Sequence, residues 1–395
     1  MKKTNLHFIF TFLFLTIFSS GYSFAQDSYN FNHGPYLQGL TEKEVSIYFT
    51  TSAKGFSHIE LRNGENGDIT KHYTYVNGLV QANNTMNTIK IDGLEPDTKY
   101  EYRLISKEMT DFQPYKVTYG DSISSEWYQF KTFNPKAKSA SFIATSDIHD
   151  DAKKYSDLLS YLPVDKAEIV FLLGDIMSYF HKPDQPYTSF IDVSVDKFAT
   201  EKPFVIVRGN HETRGHLARE YDNFVYRQDG HYYGVYTLGN TVVVMLDSGE
   251  DKPDTHPVYA GITAFDQYRA EQVEWLKEVV KSKEYKSAKH RIVMVHIPPL
   301  SKNRKNQAEK IQRDTDHGTQ QMNDLFMPIL NKAKVDLMIS GHTHRHFILE
   351  EEKGVNNFPI LVNDNKSASF VTVDDNGIHV KTVNNKGETT LERTF

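Results

Sequence analysis

Seven residues in this chain combine metal-donor chemistry with a spacing that lets them meet: Asp147, His149, Asp175, Asn210, His296, His342 and His344. Each follows a short apolar run, and five such runs supply them all. Imidazole nitrogen together with carboxylate oxygen is the donor set that borderline-soft divalent cations prefer. Asp147-x-His149 and His342-x-His344 each offer two donors from one chain end, because residues i and i+2 of an extended chain leave on the same side. A lone aspartate before a helix is more simply an N-cap, and Asp150 is expected to serve as one. Capping does not explain five strand ends that deliver Asp, Asn and His together.

The runs that carry these residues read as strands. They are Ser139 to Ser146, Ala167 to Leu173, Pro203 to Val207, Arg291 to Val295 and Asp336 to Ser340, and Thr241 to Asp247 is a further strand of the same kind. Near-continuous apolar strands belong in the middle of a sheet covered on both faces. Helical spacing appears over Asp151–Leu162, Ala270–Lys281 and Gln320–Leu330. Periodicity alone therefore suggests an open α/β sheet, with its site in the polar loops at the C-terminal strand ends. Further strands are expected at Pro359–Val362, Ala368–Val373 and Ile378–Val383, with Asp375-Asn376-Gly377 as a hairpin turn.

The region before residue 136 has a different pattern. Val45–Thr50 and His58–Arg62 alternate at period two, and Tyr100 and Tyr102 share one face of a later strand. Phe130–Phe133 closes the series. The Leu94, Pro96, Thr98, Tyr100 arrangement resembles the tyrosine corner of fibronectin type III domains, in which a tyrosine hydroxyl pins the sandwich edge. These aromatics are expected to pack a core and a corner rather than bind a ligand.

At the N-terminus, Lys2 and Lys3 precede an apolar stretch from Phe8 to Phe18, and Ser23-Phe24-Ala25 offers a small-x-small cleavage site. Residues 1–25 are expected to be a signal peptide, leaving no stable membrane span after cleavage and placing the chain in a bacterial periplasm or outside the cell. The chain of 395 residues contains no cysteine, which excludes disulfides and thiolate chemistry. Its net charge is −6, and −8 without the leader, so no nucleic-acid-binding surface is evident.

The order Asp-x-His, Gly-Asp, Gly-Asn-His-Glu, a strand-end His, then Gly-His-x-His resembles the calcineurin-like metallophosphoesterase superfamily over roughly residues 137 to 380. The β-rich part before it resembles the N-terminal domain of purple acid phosphatases. The resemblance implies a four-layer α/β (α+β) fold, a two-layered β-sandwich flanked by helices, preceded by an all-β fibronectin type III-like sandwich. The expected division is a signal peptide at 1–25, the all-β sandwich at 26–135 and the metallophosphoesterase domain at 136–395.

It also implies roles. Asp147, His149 and His344 would hold one metal, Asn210, His296 and His342 a second, and Asp175 would bridge them. Two cations about 3.5–4 Å apart repel, and a shared carboxylate offsets that repulsion. The cofactors would be two divalent or mixed-valence transition metal ions, drawn from zinc, manganese or iron. His211 would contact phosphate and protonate the leaving oxygen, with Glu212 orienting it. Arg208 is the candidate phosphate clamp, since guanidinium matches two phosphate oxygens. Purple acid phosphatases carry a ligand tyrosine three residues after the Gly-Asp aspartate. Here Ser178 holds that place, Tyr179 follows it, and His149 is expected to replace the missing phenolate without tyrosinate-to-iron colour.

The expected function is hydrolysis of phosphate monoesters on a small phosphorylated substrate, by attack of a metal-activated hydroxide. Phosphodiester or nucleotide hydrolysis is the alternative within the same chemistry, and a non-catalytic metal-organised binding protein is the alternative outside it. Three long connections could shape the pocket: Ser178–Lys202, Gly249–Asp266 and Pro298–Gly318, the last carrying Lys302, Arg304, Lys305, Lys310 and Arg313.

Overall fold

The computed structural model describes residues 28–301 and 316–395. The leader and the basic run from Lys302 to Arg313 lie outside the described residues.

The apolar strands predicted from the sequence form, but they do not make one open sheet. They divide into two six-stranded sheets that face each other. One has the order Phe204–Ile206, Ile169–Leu172, Ala140–Thr145, Ser367–Asp374, Gly377–Asn384, Thr389–Thr394. The other has the order Gly234–Leu238, Thr241–Leu246, His290–Val295, Leu337–Ser340, Ile360–Val362, Phe347–Leu349. The three site-bearing strands of the first sheet are parallel, as are the strands from Thr241–Leu246 to Ile360–Val362 in the second.

Period-two geometry explains why the central strands are apolar on both faces. Phe142, Ala144, Phe171 and Val205 face inward and join Val243, Met245, Met294 and Ile339 of the second sheet. Phe171 and Tyr236 meet edge to face across this layer at 6.1 Å. The opposite residues Ile143, Val170 and Leu172 pack beneath helix Ala152–Ser160 and the helical stretch 187–199. Val244, Val293 and Met338 likewise lie under helix Phe265–Val279 and the helical stretch 317–330. Burial of each such side chain contributes about 1.5–3 kcal/mol before chain entropy is counted. The result is four layers, as the family resemblance implies. The stretch 178–202, read from sequence as a connection, is largely helical.

Ahead of these sheets lies a seven-stranded β structure ending at Lys131. The two strands expected at Val45–Thr50 and His58–Arg62 are one strand of 18 residues, Val45–Arg62. Its first half pairs with Tyr36–Gln38 and Asn84–Ile91. After an irregularity between Thr50 and Gly55, its second half pairs with Thr70–His72 and Lys99–Gln113. One strand thus serves two layers. The Tyr100 hydroxyl accepts a hydrogen bond from Glu95 N at 2.9 Å, which is the expected corner.

The β region is fastened to the layers behind it by buried polar contacts. Tyr36 Oη and Gln38 Nε2 both donate to the Phe224 carbonyl, at 3.0 and 2.9 Å. Tyr226 N donates to Gln38 Oε1 at 2.7 Å, and Tyr102 Oη donates to the Thr200 carbonyl at 2.7 Å. No helix among the described residues is long and apolar enough to cross a membrane.

Gln38 is 1% exposed, so its loss leaves the Tyr226 N–H without its partner. Gln38→Ala is expected to lower unfolding stability by about 2 kcal/mol, read from the midpoint of a urea titration.

Candidate metal centre

All seven donor residues emerge at the same edge of the paired sheets. Asp147 and His149 follow Ala140–Thr145, Asp175 follows Ile169–Leu172, and Asn210 follows Phe204–Ile206. His296 follows His290–Val295, and His342 and His344 follow Leu337–Ser340. The first four come from one sheet and the last three from the other.

The backbone at this edge is held in an unusual state. Asp147, His149, Asp175, His342 and His344 all have positive φ, between 52° and 70°. Outside glycine, the left-handed region costs on the order of 1 kcal/mol per residue, so the surroundings must enforce it. Much of that enforcement comes from Glu212. Its buried carboxylate accepts from Asp175 N at 2.9 Å, Ile176 N at 2.7 Å, Met177 N at 3.1 Å and Gly209 N at 2.9 Å. Burial and the neighbouring Asp175 push the Glu212 carboxyl above its usual range, against the pull of these N–H donors. Gly209 lies so close to Asp175 that any Cβ there would overlap it. Asp150 also braces the loops, accepting from Ser178 N, Gln185 Nε2 and Ser189 Oγ at 2.7–2.9 Å. The helix N-cap is Asp151 instead, accepting from Lys154 N at 2.9 Å.

The side chains gather into three overlapping sets, with the donor atoms of each set within 4.8 Å of one another. These are Asp147, His149 and His344; His149, Asp175 and His211; and Asp175, His296 and His342. Asn210 joins through its Oδ1, 3.1 Å from His342 Nδ1. His296 Nδ1 donates to the Leu173 carbonyl at 2.6 Å, which leaves Nε2 facing Asp175 Oδ2 at 3.1 Å.

Electrostatics in this cluster are strained. Burial alone would lower the His296 pKa, but the Asp175 carboxylate beside it outweighs burial and lifts it to about 10. Burial and the charge of His296 push His342 down to about 4. Burial would raise Asp147 and Asp175, yet their histidine neighbours hold both below the usual carboxylate range.

The donor set fits transition-metal ions. Asp147 Oδ1 and His296 Nε2 are buried with no hydrogen-bond partner, although an opposite charge lies 3.3 Å from the first and 3.1 Å from the second. His149 Nε2 and His344 Nε2 face each other at 3.1 Å. Nitrogen and oxygen donors crowded this closely, with few hydrogen-bond partners of their own, are what a cation site requires and what a purely structural polar cluster avoids.

Three sequence expectations need correction. Glu212 does not orient the His211 ring, because its oxygens are occupied by backbone N–H groups of the strand-end loops. His211 is set instead by Ser178, whose carbonyl lies 2.8 Å from Nδ1, and by Arg214, whose Nη1 lies 3.1 Å from Nε2. With Nδ1–H donating to that carbonyl, Nε2 accepts from Arg214 and holds no proton for a leaving group in this arrangement. Arg208 is no free clamp either: its Nη2 is paired with buried Asp247 at 2.6 Å, and its guanidinium stacks over Tyr232 at 4.1 Å.

Arg214 is the residue the sequence reading missed. Glu250 grips it with two bonds, to Nε at 2.9 Å and Nη2 at 2.7 Å, and Asp251 adds a third at 3.1 Å. The available signal was its spacing, since i and i+3 lie over one another in the 3₁₀ turn His211–Thr213.

The family model for calcineurin-like phosphoesterases matches residues 140–346, more than half the chain and every strand end just described. The chain belongs to the calcineurin-like phosphoesterase family. Within that family it is 22% identical over 322 residues to probable purple acid phosphatase 20 of Arabidopsis thaliana, covering 78% of this chain and 65% of that protein. It is 23% identical over 279 residues to purple acid phosphatase 21 of the same plant, covering 69% and 55%. The purple acid phosphatase PPD1 from yellow lupin (Lupinus luteus) seeds superposes with a TM-score of 0.65 at 15% identity, over 91% of this chain and 73% of that one. A structure of PhoD superposes at 0.61 and 13% identity, over 92% and 90%. The calcineurin-like fold is therefore shared far beyond detectable side-chain identity.

Glu212→Gln replaces one acceptor oxygen with an NH₂ group that cannot receive the N–H donors now meeting it. The expected result is a loss of about 3 kcal/mol in urea unfolding. Bound metal per chain should fall as well, measured by elemental mass spectrometry after dialysis.

Proposed function

We propose that this chain is a metal-dependent phosphoric ester hydrolase acting on phosphate monoesters. The observation that carries the reading is the convergence of imidazole nitrogens and carboxylate oxygens on one rim, in three sets whose donor atoms lie within 4.8 Å of one another. In this reading Asp147, His149 and His344 hold one ion, Asn210, His296 and His342 hold another, and Asp175 serves both. Asp175 shares one donor set with His149 and another with His296 and His342, which supports that role. Zinc, manganese or iron would suit these donors. Such ions, when bound, polarise phosphoryl oxygens and make water nucleophilic near neutral pH.

The chain's own groups supply the rest. His211 Nε2 lies 3.9 Å from Asp175 Oδ2, at the mouth of the centre. Arg214, bonded to that nitrogen, presents N–H donors to a phosphoryl group entering there. Glu250 and Asp251 hold the guanidinium in place, so the donors are arranged before substrate arrives. The fully buried His296 imidazole lies at the floor of the site.

Monoesters are favoured because the matched Arabidopsis relatives are named as phosphatases. Neither half of the purple-enzyme tyrosine position joins the donor sets: Ser178 offers its carbonyl to His211, and Tyr179 is half exposed with its ring 6.3 Å from that imidazole. A colourless zinc or manganese enzyme, or an iron enzyme without a tyrosinate band, is the reading this supports. Residues 26–135 are read as a fibronectin type III-like module, supported by the Tyr100 corner, and 136–395 as the catalytic domain. Export directed by residues 1–25 completes the proposal.

The test pairs metal content with turnover. The purified chain should carry about two transition metal ions and hydrolyse alkyl phosphate monoesters faster than matched diesters, with a chelator abolishing both reactions. Asp175→Asn should lose ion and turnover together. Faster diester cleavage would move the reading to phosphodiesters. Metal without any turnover would indicate a binding protein.

A further inference from the structure

Beside the metal rim lies a cavity of about 1060 Å³ whose walls come from residues 208–232 and 250–268. It is far larger than a phosphoryl group needs, and it falls in the size range of sites for whole organic ligands. Arg214 forms its doorway. This residue lines the cavity and also touches His211, which stands 3.9 Å from Asp175. Tyr179 lines the same opening, half exposed.

The walls have a definite chemistry. Tyr232, Phe265 and Tyr268 line the cavity, with the Arg208 guanidinium set among them at 4.1, 5.7 and 5.7 Å from their ring centres. Four cations of the wall are already paired with carboxylates, and Arg219 donates to the Ile262 carbonyl at 3.3 Å. Arg208 is paired with Asp247 at 2.6 Å, Arg214 with Glu250 at 2.7 Å, Arg227 with Asp222 at 2.6 Å and Lys252 with Asp251 at 2.8 Å. A polyanionic extension such as a second phosphate would have to break one of these pairs or draw Arg219 from the Ile262 carbonyl. A flat, uncharged group would not, since ring faces and a guanidinium plane attract aromatic systems directly. Arg208 Nε is buried without a hydrogen-bond partner, which leaves one donor unspent on the cavity wall.

We propose that this cavity receives the organic part of the ester and that it selects an uncharged aromatic or heteroaromatic group. The proposal rests on the hydrolase reading and adds the substrate class to it. The phosphoryl group would lie at the metal rim, the ester oxygen beside Arg214 and the ring between Tyr232 and Phe265.

The experiment compares two alkyl phosphates of similar leaving-group chemistry on the metal-loaded full chain. One is 2-(1-naphthyl)ethyl phosphate, the other n-butyl phosphate. The expected kcat/KM ratio favours the naphthyl ester by about tenfold or more. Ala264 is an exposed residue of the cavity lining, so Ala264→Trp fills the space without disturbing a core, and Phe265→Ala removes a wall. Each should bring the ratio towards one. Equal kcat/KM in the unsubstituted chain, or a preference that survives both substitutions, overturns the pocket while leaving the hydrolase standing. Calorimetry with 2-(1-naphthyl)ethyl phosphonate separates the two claims. Binding that Ala264→Trp abolishes, in a chain that turns over neither ester, supports the pocket and overturns the hydrolase. Absence of both binding and turnover overturns both.

Discussion

The site depends on one buried carboxylate that takes no part in holding a cation. Glu212 receives four backbone N–H groups from two different strand-end loops, 175–177 and Gly209. An ionised carboxylate has about four acceptor positions, and here they are taken up by main chain. The interaction explains how Asp175 keeps a left-handed backbone and why Gly209 must lack a side chain. Without it the loops would have several buried donors and nothing to receive them. The charge is costly to bury, which shows in the raised Glu212 pKa, but hydrogen bonds to a charge are also the stronger kind.

Around that anchor the charges are arranged in alternation. Asp147 and Asp175 lie among His296, His342 and His344, so protonating one imidazole lowers its neighbour. A second circuit surrounds the first. Glu250 and Asp251 hold Arg214, while Asp247 holds Arg208 and accepts from Tyr268 Oη at 3.0 Å. Arg269, fully buried, donates through Nε to the Ser248 carbonyl at 2.8 Å and fixes the turn that carries these acids. The outer circuit fixes where these cations sit, and it leaves Arg214 as the one bonded to His211.

Legibility followed the range of the interaction. The donor residues could be read because each announces itself locally, as an Asp, Asn or His at the end of an apolar run. Four layers could not be read from periodicity, since strands buried on both faces look alike whether they share a sheet or face one another. The family motif resolved that ambiguity. Arg208 was misread because its partner Asp247 is supplied by the other sheet, with no trace in the local sequence. Glu212 was misread for a different reason: its partners are main-chain groups, which have no letter in the sequence. The strand Val45–Arg62 looked like two because its middle, from Thr50 to Gly55, is where it changes layers.

The donor residues are divided four and three between the facing sheets, and His342 N reaches across to Asp147 Oδ2 at 3.0 Å. The rim is therefore a seam, and any ion seated in it acts as a rivet through two plates. Sliding one sheet over the other by about an ångström would pull the rivet apart, so the interior packing of Phe142, Phe171 and Tyr236 sets the bite of a site they never touch. By the same mechanical link, a chain with its rivet in place should resist shear between the plates. Ion affinity and the rigidity of the sandwich then become two readings of one quantity.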